Sequence, residues 1–233
     1  MKNYSKFKNN IYSQNGEDGV IQEILRELDI GIGTCIEFGA SRGKDNSNTY
    51  SLVENNWDAL YIESDKNRFS ELIENTKNFK NVAIVNKFVS HKPGKNDLDS
   101  ILIEKKFEKD CDILSVDIDS EDLKVWEIFS GRPKIVIIEI NSTIKPGILN
   151  YHNEKEPGNS FSSTIAVAEN KGYTLLCHTG NCIFLRNDLV TYSRLNKIYI
   201  YFPTLLFNRA WLKKSYPVRY LKHKFNKFFI QAF

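Results

Sequence analysis

The sequence lacks the features that mark membrane-spanning, secreted and zinc-binding proteins. No apolar run in its 233 residues approaches the roughly 20 residues that a transmembrane helix needs. The opening stretch MKNYSKFKNN is polar, so we expect no secretory leader. The four cysteines form no CxxC pair, which argues against a zinc site and favours reduced, buried thiols. We therefore expect a cytoplasmic protein, and the length suits one α/β domain with a modest appendage.

Acidic residues are missing from the C-terminal part of the chain. Residues 191–233 contain nine Lys or Arg and no Asp or Glu, and they are rich in aromatic side chains. The other 190 residues have 23 basic and 29 acidic side chains, a net charge of −6, although the whole chain is at +3. Such a tail could pack as a helical appendage on the domain or on a second subunit, or it could grip a phosphorylated substrate or an anionic membrane. RNA is a further option, but no RNA-binding motif is present, so nucleic acid is disfavoured.

A dinucleotide-binding loop of the G-x-G-x-x-G type is also missing. In its place Glu37 ends an apolar run and is followed by Gly39 and Gly43, and a second run ends at Glu63, twenty positions after Gly43. This is the spacing of a nucleoside-binding βαβ unit, in which glycines admit the ligand and the second acid accepts hydrogen bonds from ribose hydroxyls. An acid in the turn would repel a pyrophosphate. It would instead attract a cationic amino-acid group, which favours S-adenosylmethionine.

Hydrophobic periodicity predicts strands that alternate with helices. The predicted strands cover residues 34–38, 60–63, 82–85, 112–117, 135–140, 173–177 and 182–186. The predicted helices cover residues 21–28, 48–54, 68–78, 98–104, 121–129 and 162–171. This alternation favours an α/β fold with a Rossmann-like, doubly wound sheet of seven mostly parallel strands. We place the domain at residues 1–190 and a basic, helical appendage at residues 191–233.

Polar side chains stand where successive predicted strands end. The carboxyl ends of parallel strands meet at one edge of a sheet, and ligands bind there beside the switch in strand order. We therefore expect these residues to share one site. They are Glu37, Glu63, Asn86, Asp117, Asp119, Glu139 and Asn141.

Four segments together resemble one enzyme family. Residues 35–65 combine the E-x-G-x-x-x-G turn with a Ser-Asn-Thr helix start at residues 47–49 and a Trp at position 57. Residues 112–143 hold a strand that ends in Val-Asp-Ile-Asp and a later Glu-Ile-Asn triplet, while residues 12–21 and 158–189 add an entry motif and a closing helix with two strands. These motifs resemble the FkbM-like group of class I S-adenosylmethionine-dependent methyltransferases. Asp119 stands where that group usually has Glu, and Ser120 where it usually has Gly.

The resemblance implies an antiparallel closing strand pair and roles for individual residues. Gln14 and Glu17 would reach the amino-acid end of the cofactor, and the turn at residues 39–43 would admit its methionine portion. Glu63 would hold the ribose hydroxyls, and Val89 and Ser90 would lie against the adenine. The other residues implied in cofactor binding are Glu37, Gly39, Ala40, Gly43, Asn48, Thr49, Ser64 and Asp117.

Methyl transfer needs an aligned acceptor and a group that takes its proton, because the cofactor carries the difficult chemistry. The candidate bases are Asp117, Asp119, Glu139 and His152, with His178 as a weaker candidate in a predicted hairpin. Alternatively, Asp117, Glu139 and Asn141 could supply oxygen ligands to Mg²⁺ or Mn²⁺. The plainer interpretation is that these acids cap helices or orient loops and that His152 is a surface histidine.

The sequence as a whole predicts an S-adenosylmethionine-dependent O-methyltransferase. Its acceptor would be a hydroxyl of a sugar or of a small phosphorylated precursor, in bacterial surface-glycan (capsule) or secondary-metabolite biosynthesis. A nucleotide-cofactor oxidoreductase is the alternative enzyme, disfavoured by the turn and by the lack of a Tyr-x-x-x-Lys pair in the expected place. A non-catalytic protein that binds a membrane or a partner through its basic tail is the third option. The aromatic tail also leaves a homo-oligomer open.

Overall fold

Strands and helices alternate along the chain, as the hydrophobic pattern predicted. In the computed structural model, which describes residues 2–213, the strands are β1 (Thr34–Phe38), β2 (Asp58–Glu63), β3 (Val82–Asn86), β4 (Ile113–Val116), β5 (Ile135–Glu139), β6 (Tyr173–His178) and β7 (Asn181–Arg186). The helices are α1 (Glu17–Glu27), α2 (Tyr50–Glu54), α3 (Lys66–Thr76), α4 (Leu98–Lys105), α5 (Asp122–Ile128), α6 (Phe161–Lys171) and α7 (Ile198–Tyr201). Short 3₁₀ helices cover Tyr4–Phe7, Asn187–Leu189, Pro203–Leu206 and Arg209–Lys213. Every predicted strand and helix up to residue 186 is confirmed.

The seven strands form one sheet in the order β3-β2-β1-β4-β5-β7-β6. Strands β1 to β5 run parallel, whereas β7 is antiparallel to both of its neighbours, β5 and β6. The predicted Rossmann-like sheet and its antiparallel closing pair are therefore confirmed. From β1 the chain proceeds outward to β2 and β3 and then returns to form β4 on the other side of β1. The switch in strand order thus lies between β1 and β4, which is where open α/β sheets bind ligands.

Alternate residues of the central strands enter two apolar layers, one on each face of the sheet. Ile36 and Leu114 pack on one face with helices α4, α5 and α6. Cys35 and Ile113 pack on the other face with helices α1, α2 and α3. Strand β5, predicted from its continuous apolar run to be buried on both faces, contributes residues to both layers.

Helix α1 begins four residues earlier than its apolar periodicity predicted. Gly16, at a φ of +94°, precedes it, and its first two residues, Glu17 and Asp18, are buried although both are acidic. Asp18 Oδ2 accepts hydrogen bonds of 2.9, 3.0 and 2.7 Å from the backbone N–H groups of Ile11, Tyr12 and Ser13. The carboxylate therefore ties the preceding loop to the helix, a role that apolar periodicity does not reveal.

All four cysteines are buried and free. Burial raises the pKa of each thiol, so all four stay neutral and pack as small apolar groups. The predicted buried thiols are confirmed.

Residues 191–213 lie against the same apolar layers as the rest of the chain. Leu195, Leu206 and Phe207 are buried, and Lys2 pairs with Leu195 in an isolated parallel bridge. Part of the basic helical appendage predicted for residues 191–233 is thus seen as short helices, while residues 214–233 lie outside the described residues. The domain boundary at residue 190 stays a prediction. None of the helices between residues 2 and 213 combines the length and the apolar character that crossing a bilayer requires.

Candidate active site

A polar cleft opens at the carboxyl-terminal edge of the sheet. It lies over the ends of β4 and β5, the loop after β1 and the turn between β6 and β7. Its lining is mostly amide and carboxylate side chains with one aromatic ring, and consists of Gln14, Asn15, Asn46, Asn48, Asp117, Glu139, Ile140, Ser142, Gly180, Asn181 and Trp211. Four of these, namely Gln14, Asn48, Asp117 and Glu139, were predicted as site residues. The cleft coincides with the switch between β1 and β4.

The turn after β1 packs directly against the end of β4. Gly39 has a φ of +79°, and a Cβ at this position would lie 1.6 Å from the carbonyl oxygen of Asp117. Gly43 has a φ of +83°, and its Cβ would lie 2.5 Å from Leu72 Cδ1 of α3. Backbone conformation therefore favours glycine at both positions, and at Gly39 the nearby backbone carbonyl also leaves no room for a side chain. Their predicted contact with a cofactor stays a prediction.

Glu37, near the end of β1, is buried and organises the Ser-Asn-Thr segment before α2. Its Oε2 accepts hydrogen bonds from Ser47 Oγ at 2.7 Å and Thr49 Oγ1 at 2.5 Å, and its Oε1 accepts one from the backbone N–H of Asn48 at 3.1 Å. Burial raises the pKa of Glu37, and these donors oppose that rise. Asn48 in turn donates from Nδ2 to Ser115 Oγ of β4 at 3.0 Å, which joins the β1 loop to the next strand. Glu37, Asn48 and Thr49, which were predicted as cofactor contacts, thus form one internal hydrogen-bond network.

Glu63 ends β2 on the other side of the same turn. It is buried, and its two carboxylate oxygens accept hydrogen bonds from the backbone N–H groups of Ser41 at 2.8 Å and Asp65 at 2.7 Å. A carboxylate has about four lone-pair sites, so acceptor capacity is left for the hydroxyls of a ribose. The side chain is fixed between two loops before any ligand arrives.

Four further residues predicted at the cofactor follow β1, β2 and β3 along the chain. Ala40 is buried and donates its backbone N–H to the carbonyl of Ile62 in β2 at 3.1 Å. Ser64 is exposed immediately after β2. Beyond β3, Val89 is buried in the apolar layer that contains α4. Ser90 Oγ accepts a hydrogen bond of 2.9 Å from the backbone N–H of Lys92. The structure brings all four to the edge formed by β1, β2 and β3, and their contact with adenine or ribose stays a prediction.

Three carboxyl groups meet beyond β4 and β5. Asp117, Asp119 and Glu139 each offer an oxygen, and these oxygens lie within 4.8 Å of one another. Burial, followed by the negative charges of Asp119 and Asp122, raises the pKa of Asp117 to about 7, and a hydrogen bond with Glu139 opposes the rise. Asp117 therefore holds its proton to a higher pH than an ordinary aspartate does. Asp119 holds a left-handed φ of +57°, which turns the chain between β4 and α5.

The turn that carries Asp119 is fixed by Asp122, the first residue of α5. Its two carboxylate oxygens accept hydrogen bonds from the backbone N–H groups of Ile118 at 2.6 Å and Ser120 at 2.9 Å. Burial nevertheless raises the pKa of Asp122 to about 6. The sequence pattern did not single out this residue, although an acid in the first turn of a helix is a common anchor.

Asn141 and His152 belong to the long loop between β5 and α6. Asn141 donates from Nδ2 to the carbonyl of Pro157 at 2.8 Å, and its Oδ1 accepts hydrogen bonds from Thr143. His152 Nδ1 accepts a hydrogen bond from the backbone N–H of Gly158 at 3.0 Å. Both side chains therefore hold the loop in shape, and neither is among the residues that line the cleft. Their predicted roles, metal ligation for Asn141 and proton transfer for His152, stay predictions.

Glu17 connects the N-terminal segment to the turn between β6 and β7. Its Oε1 accepts hydrogen bonds from Thr179 Oγ1 at 2.5 Å and Asn181 Nδ2 at 3.3 Å, and its Oε2 accepts one from the backbone N–H of Asn15 at 2.8 Å. Gln14, which precedes this contact, lines the cleft. Glu17 thus holds two residues of the cleft wall, Asn15 and Asn181, in place.

His178 anchors the C-terminal segment to the sheet. Its Nδ1 accepts a hydrogen bond from the backbone N–H of Asn208 at 3.0 Å, so Nε2 carries the proton and faces Ser142 Oγ at 2.9 Å. Phe207 stacks on the imidazole with a centroid distance of 4.7 Å. Burial lowers the pKa of His178 to about 3, and the charge of Lys8 lowers it further. The ring is therefore neutral and has a structural role. The sequence had offered His178 only as a weaker candidate for the base, because it lies in a predicted hairpin.

Trp211 and the residues of the β6–β7 turn were missed as parts of the site. Trp211 lines the cleft and donates from Nε1 to the carbonyl of Thr179 at 3.1 Å, with its ring over Gly180. The aromatic content of the tail was the one signal in the sequence that pointed toward it. Nothing in the order of the residues shows that a segment after the last strand returns to the cleft.

Comparison with known proteins finds no match by sequence and only distant solved structures. No protein-family model matches the sequence, and no curated protein matches it. Among solved structures, a TehB-like SAM-dependent methyltransferase from Corynebacterium glutamicum is 15% identical over 76% of this chain and 89% of its own, with a TM-score of 0.41. A SAM-dependent methyltransferase from Aquifex aeolicus is 14% identical over 70% and 86% of the two chains, with a TM-score of 0.43. A precorrin-6y methyltransferase from Geobacter metallireducens is 14% identical over 78% and 94%, with a TM-score of 0.42.

Proposed function

We propose that this chain is an S-adenosylmethionine-dependent methyltransferase that methylates a hydroxyl group. The observation that carries the proposal is the arrangement of acids at the switch in strand order. Glu63 ends β2 with free acceptor capacity, and Asp117 and Glu139 line a cleft beyond β4 and β5. The first acid suits a ribose, and the second pair suits proton transfer. The resemblance to the FkbM-like group supports the same assignment.

The residues of this chain suffice to hold the cofactor without a phosphate-binding loop. The turn at residues 39–43 would lie under the methionine portion, Glu63 would accept hydrogen bonds from the ribose, and Val89 and Ser90 would flank the adenine. Bound in this way, S-adenosylmethionine supplies an electrophilic methyl group for in-line displacement. The protein orients the acceptor toward that methyl group and removes the acceptor proton.

Asp117 is the residue that we assign as the base. Its raised pKa lets it take a proton from an acceptor hydroxyl near neutral pH, and Glu139 shares a hydrogen bond with it. Asp119, exposed beside the pair, adds negative charge that favours the protonated form of Asp117 after transfer. The proton would therefore pass from the acceptor oxygen to the Asp117 carboxylate as that oxygen bonds to the methyl carbon and the cofactor sulfur leaves with the electron pair of its bond to that carbon.

The acceptor that we propose is a sugar or a small precursor of a surface glycan or secondary metabolite, because its chemistry matches the lining of the cleft. A polyhydroxylated molecule both donates and accepts hydrogen bonds, and amides and carboxylates offer both kinds of partner. The cleft wall supplies them from Gln14, Asn15, Asn46, Asn48 and Asn181, and Trp211 adds an apolar ring. No Lys or Arg is among the described residues that line the cleft, so an acceptor that carries a phosphate rests only on the basic composition of the chain after position 190. The free thiols suit the reducing cytoplasm, where the cofactor and such precursors would be encountered.

Metal assistance is a second mechanism, favoured by one observation. The oxygens of Asp117, Asp119 and Glu139 lie close enough together to hold one divalent ion, and carboxylates are the ligands that Mg²⁺ and Mn²⁺ prefer. Such an ion would draw the acceptor oxygen close and lower the pKa of its proton. Calorimetric titration with MnCl₂ of the wild type and of Asp119→Asn separates the mechanisms. Binding that the substitution weakens supports the ion, and no heat from the wild type leaves Asp117 as a plain base.

The experiment that tests the proposal is calorimetric titration with S-adenosylhomocysteine, with NADPH as the comparison ligand. We expect the sulfur ligand to bind and NADPH not to bind. Glu63→Gln should weaken the binding of S-adenosylhomocysteine at least about tenfold, since a hydrogen bond to a charged group contributes about 1.5–3 kcal/mol. Asp58→Asn, at the opposite end of β2, is the matched control and should bind normally. Preference for NADPH, or an unchanged Glu63→Gln affinity, would overturn the assignment.

A further inference from the structure

Helix α7 and the 3₁₀ helix after it leave large apolar side chains in solvent. Four of them lie within eight consecutive residues: Ile198 is 46% exposed, Tyr201 76%, Phe202 58% and Leu205 57%. We call these four the α7 face. Ile198 and Tyr201 are spaced at i and i+3 in α7, so they lie on the same side of the helix. Phe202 follows the helix with a non-helical φ of −131°, and Leu205 lies in the 3₁₀ helix after it. Tyr199 points the other way and packs against both core layers. The segment is thus anchored on one side and apolar on the other.

The chain on either side of the α7 face is cationic, while Glu169 of α6 is an acid that lines a groove with Ile200 and Pro203. Lys197 immediately precedes it and Arg209 follows it, both exposed, and Arg194 is exposed with only a 3.9 Å pairing to Glu27. Within the described residues, no ion pair joins Lys197 or Arg209 to an acid. The last acid of the entire sequence is Asp188, so the nine cations from position 191 onward have no acidic neighbour in their own segment. An apolar patch of this size beside unpaired cations calls for a partner that is apolar and negatively charged.

We propose that the α7 face docks on an anionic lipid surface. Tyr201 and Phe202 would enter the boundary between headgroups and acyl chains, where aromatic side chains are favoured. Lys197, Arg194 and Arg209 would meet the headgroup charge. A second copy of this chain fits less well, because a two-fold interface would bring the same cations against one another.

The position of the α7 face gives the docking a consequence for the cleft. The chain runs from Leu205 through the buried Phe207 to Trp211, which forms part of the cleft wall. Only five residues therefore separate the end of the α7 face from the cleft. A molecule carried on a lipid would be held close to the cleft while the protein is docked. The docking itself does not depend on methyl transfer, so either proposal can fail without the other.

Sedimentation with lipid vesicles tests the docking. The purified full chain is mixed with vesicles of phosphatidylcholine alone or of phosphatidylcholine with phosphatidylglycerol, at rising salt. We expect binding to the anionic vesicles only, and weaker binding as salt screens the headgroups. The double variant Tyr201→Ser with Phe202→Ser should lower the partition constant about tenfold or more, since each ring loses its apolar burial. Lys197→Gln should lower it about fivefold, the effect of one cation near a charged surface.

Two matched controls separate the α7 face from surface changes in general. Ile103→Ser removes a side chain that is 79% exposed on α4, and Lys66→Gln removes an exposed cation on α3. Both should bind vesicles as the wild type does. Absent binding, or equal binding to both kinds of vesicle, would overturn the proposal. So would a dimer in light scattering that the double variant converts to a monomer, which assigns the α7 face to a second copy. Binding of single-stranded RNA that the double variant abolishes would likewise assign it to nucleic acid.

Discussion

Carboxylates act in two different ways in this protein, and their neighbours decide which. Asp18 accepts hydrogen bonds from three backbone N–H groups, and Glu37 accepts them from two hydroxyl groups and one backbone N–H. Both carboxylates therefore anchor loops. Asp117 instead faces Asp119 and Glu139, which are acids themselves. A carboxyl group in such a place keeps its proton more readily, and this is what a base near neutral pH requires. Residue type alone would not separate these cases.

The raised pKa of Asp117 predicts how stability changes with pH. An ordinary Asp has a pKa near about 3.9, so between that value and about 7 the folded protein holds a proton that the unfolded chain has released. This contribution to stability is therefore lost as pH rises from about 4 to 7 and stays lost above 7. Asp117→Asn removes the titration, so its melting temperature relative to the wild type should increase across that window and then level off. Thermal melts of both proteins at several pH values measure this.

The outcome that would contradict this prediction is a constant difference between the two melting temperatures from pH 4 to 8. Asp58→Asn, an exposed site at the start of β2, provides the comparison for removing an ordinary carboxylate. Its difference from the wild type should stay small throughout.

At the scale of elements, the sequence patterns predicted the strands and most helices but not the loops. Strand β1 was predicted to the residue, because an apolar run followed by glycine leaves little freedom. The start of α1 was placed too late, because Glu17 and Asp18 look solvent-facing in sequence and are buried by partners far along the chain, such as Thr179. The strand-end acids were predicted to meet because parallel strands end together. Which of them line the cleft depends on side-chain contacts that no local pattern encodes.

The turn after β1 gives a prediction for this scale. Gly39→Ala should destabilise the protein severely, since the left-handed backbone costs about 1–2 kcal/mol and the new methyl group would meet the Asp117 carbonyl. Gly147→Ala is a matched control, because its φ of +95° is also left-handed but nothing lies within 4 Å. Urea unfolding should show a loss for Gly39→Ala at least about 2 kcal/mol larger than for Gly147→Ala. Equal losses would mean that the contact between the turn and β4 is not tight.

At the scale of the whole molecule, residues from both ends of the described chain support the same sheet. Lys2 pairs with Leu195, and the segment that follows returns to the cleft through Phe207 and Trp211. The sequence analysis assigned residues 191–233 to an appendage because they are basic and contain no acid, whereas the rest of the chain is acidic on balance. Charge describes the exposed side of a segment, however, and the buried side is set by a few apolar residues among the cations. That is why the tail was foreseen as basic and aromatic but not as part of a cleft wall.

Phe207 tests whether this segment is integral to the domain. It is 5% exposed and stacks on His178, so Phe207→Ala should cost about 3–5 kcal/mol in the free energy of unfolding. Leu205→Ala, at 57% exposure two residues earlier, should change stability by less than about 0.5 kcal/mol. Chemical denaturation followed by circular dichroism measures both. If Phe207→Ala leaves the main transition unmoved, residues 191–213 behave as an independent appendage.

The placement of the three tryptophans has a spectroscopic consequence. Trp57 is 1% exposed and Trp126 is fully buried in the apolar layer of α5, whereas Trp211 is partly exposed in the cleft wall. Indole emission responds to the polarity and the quenchers around the ring, so two of the three emitters are shielded from what enters the cleft. A ligand that enters the cleft should therefore change the fluorescence of Trp211 only. The emission of Trp57 and Trp126 in the core should stay constant.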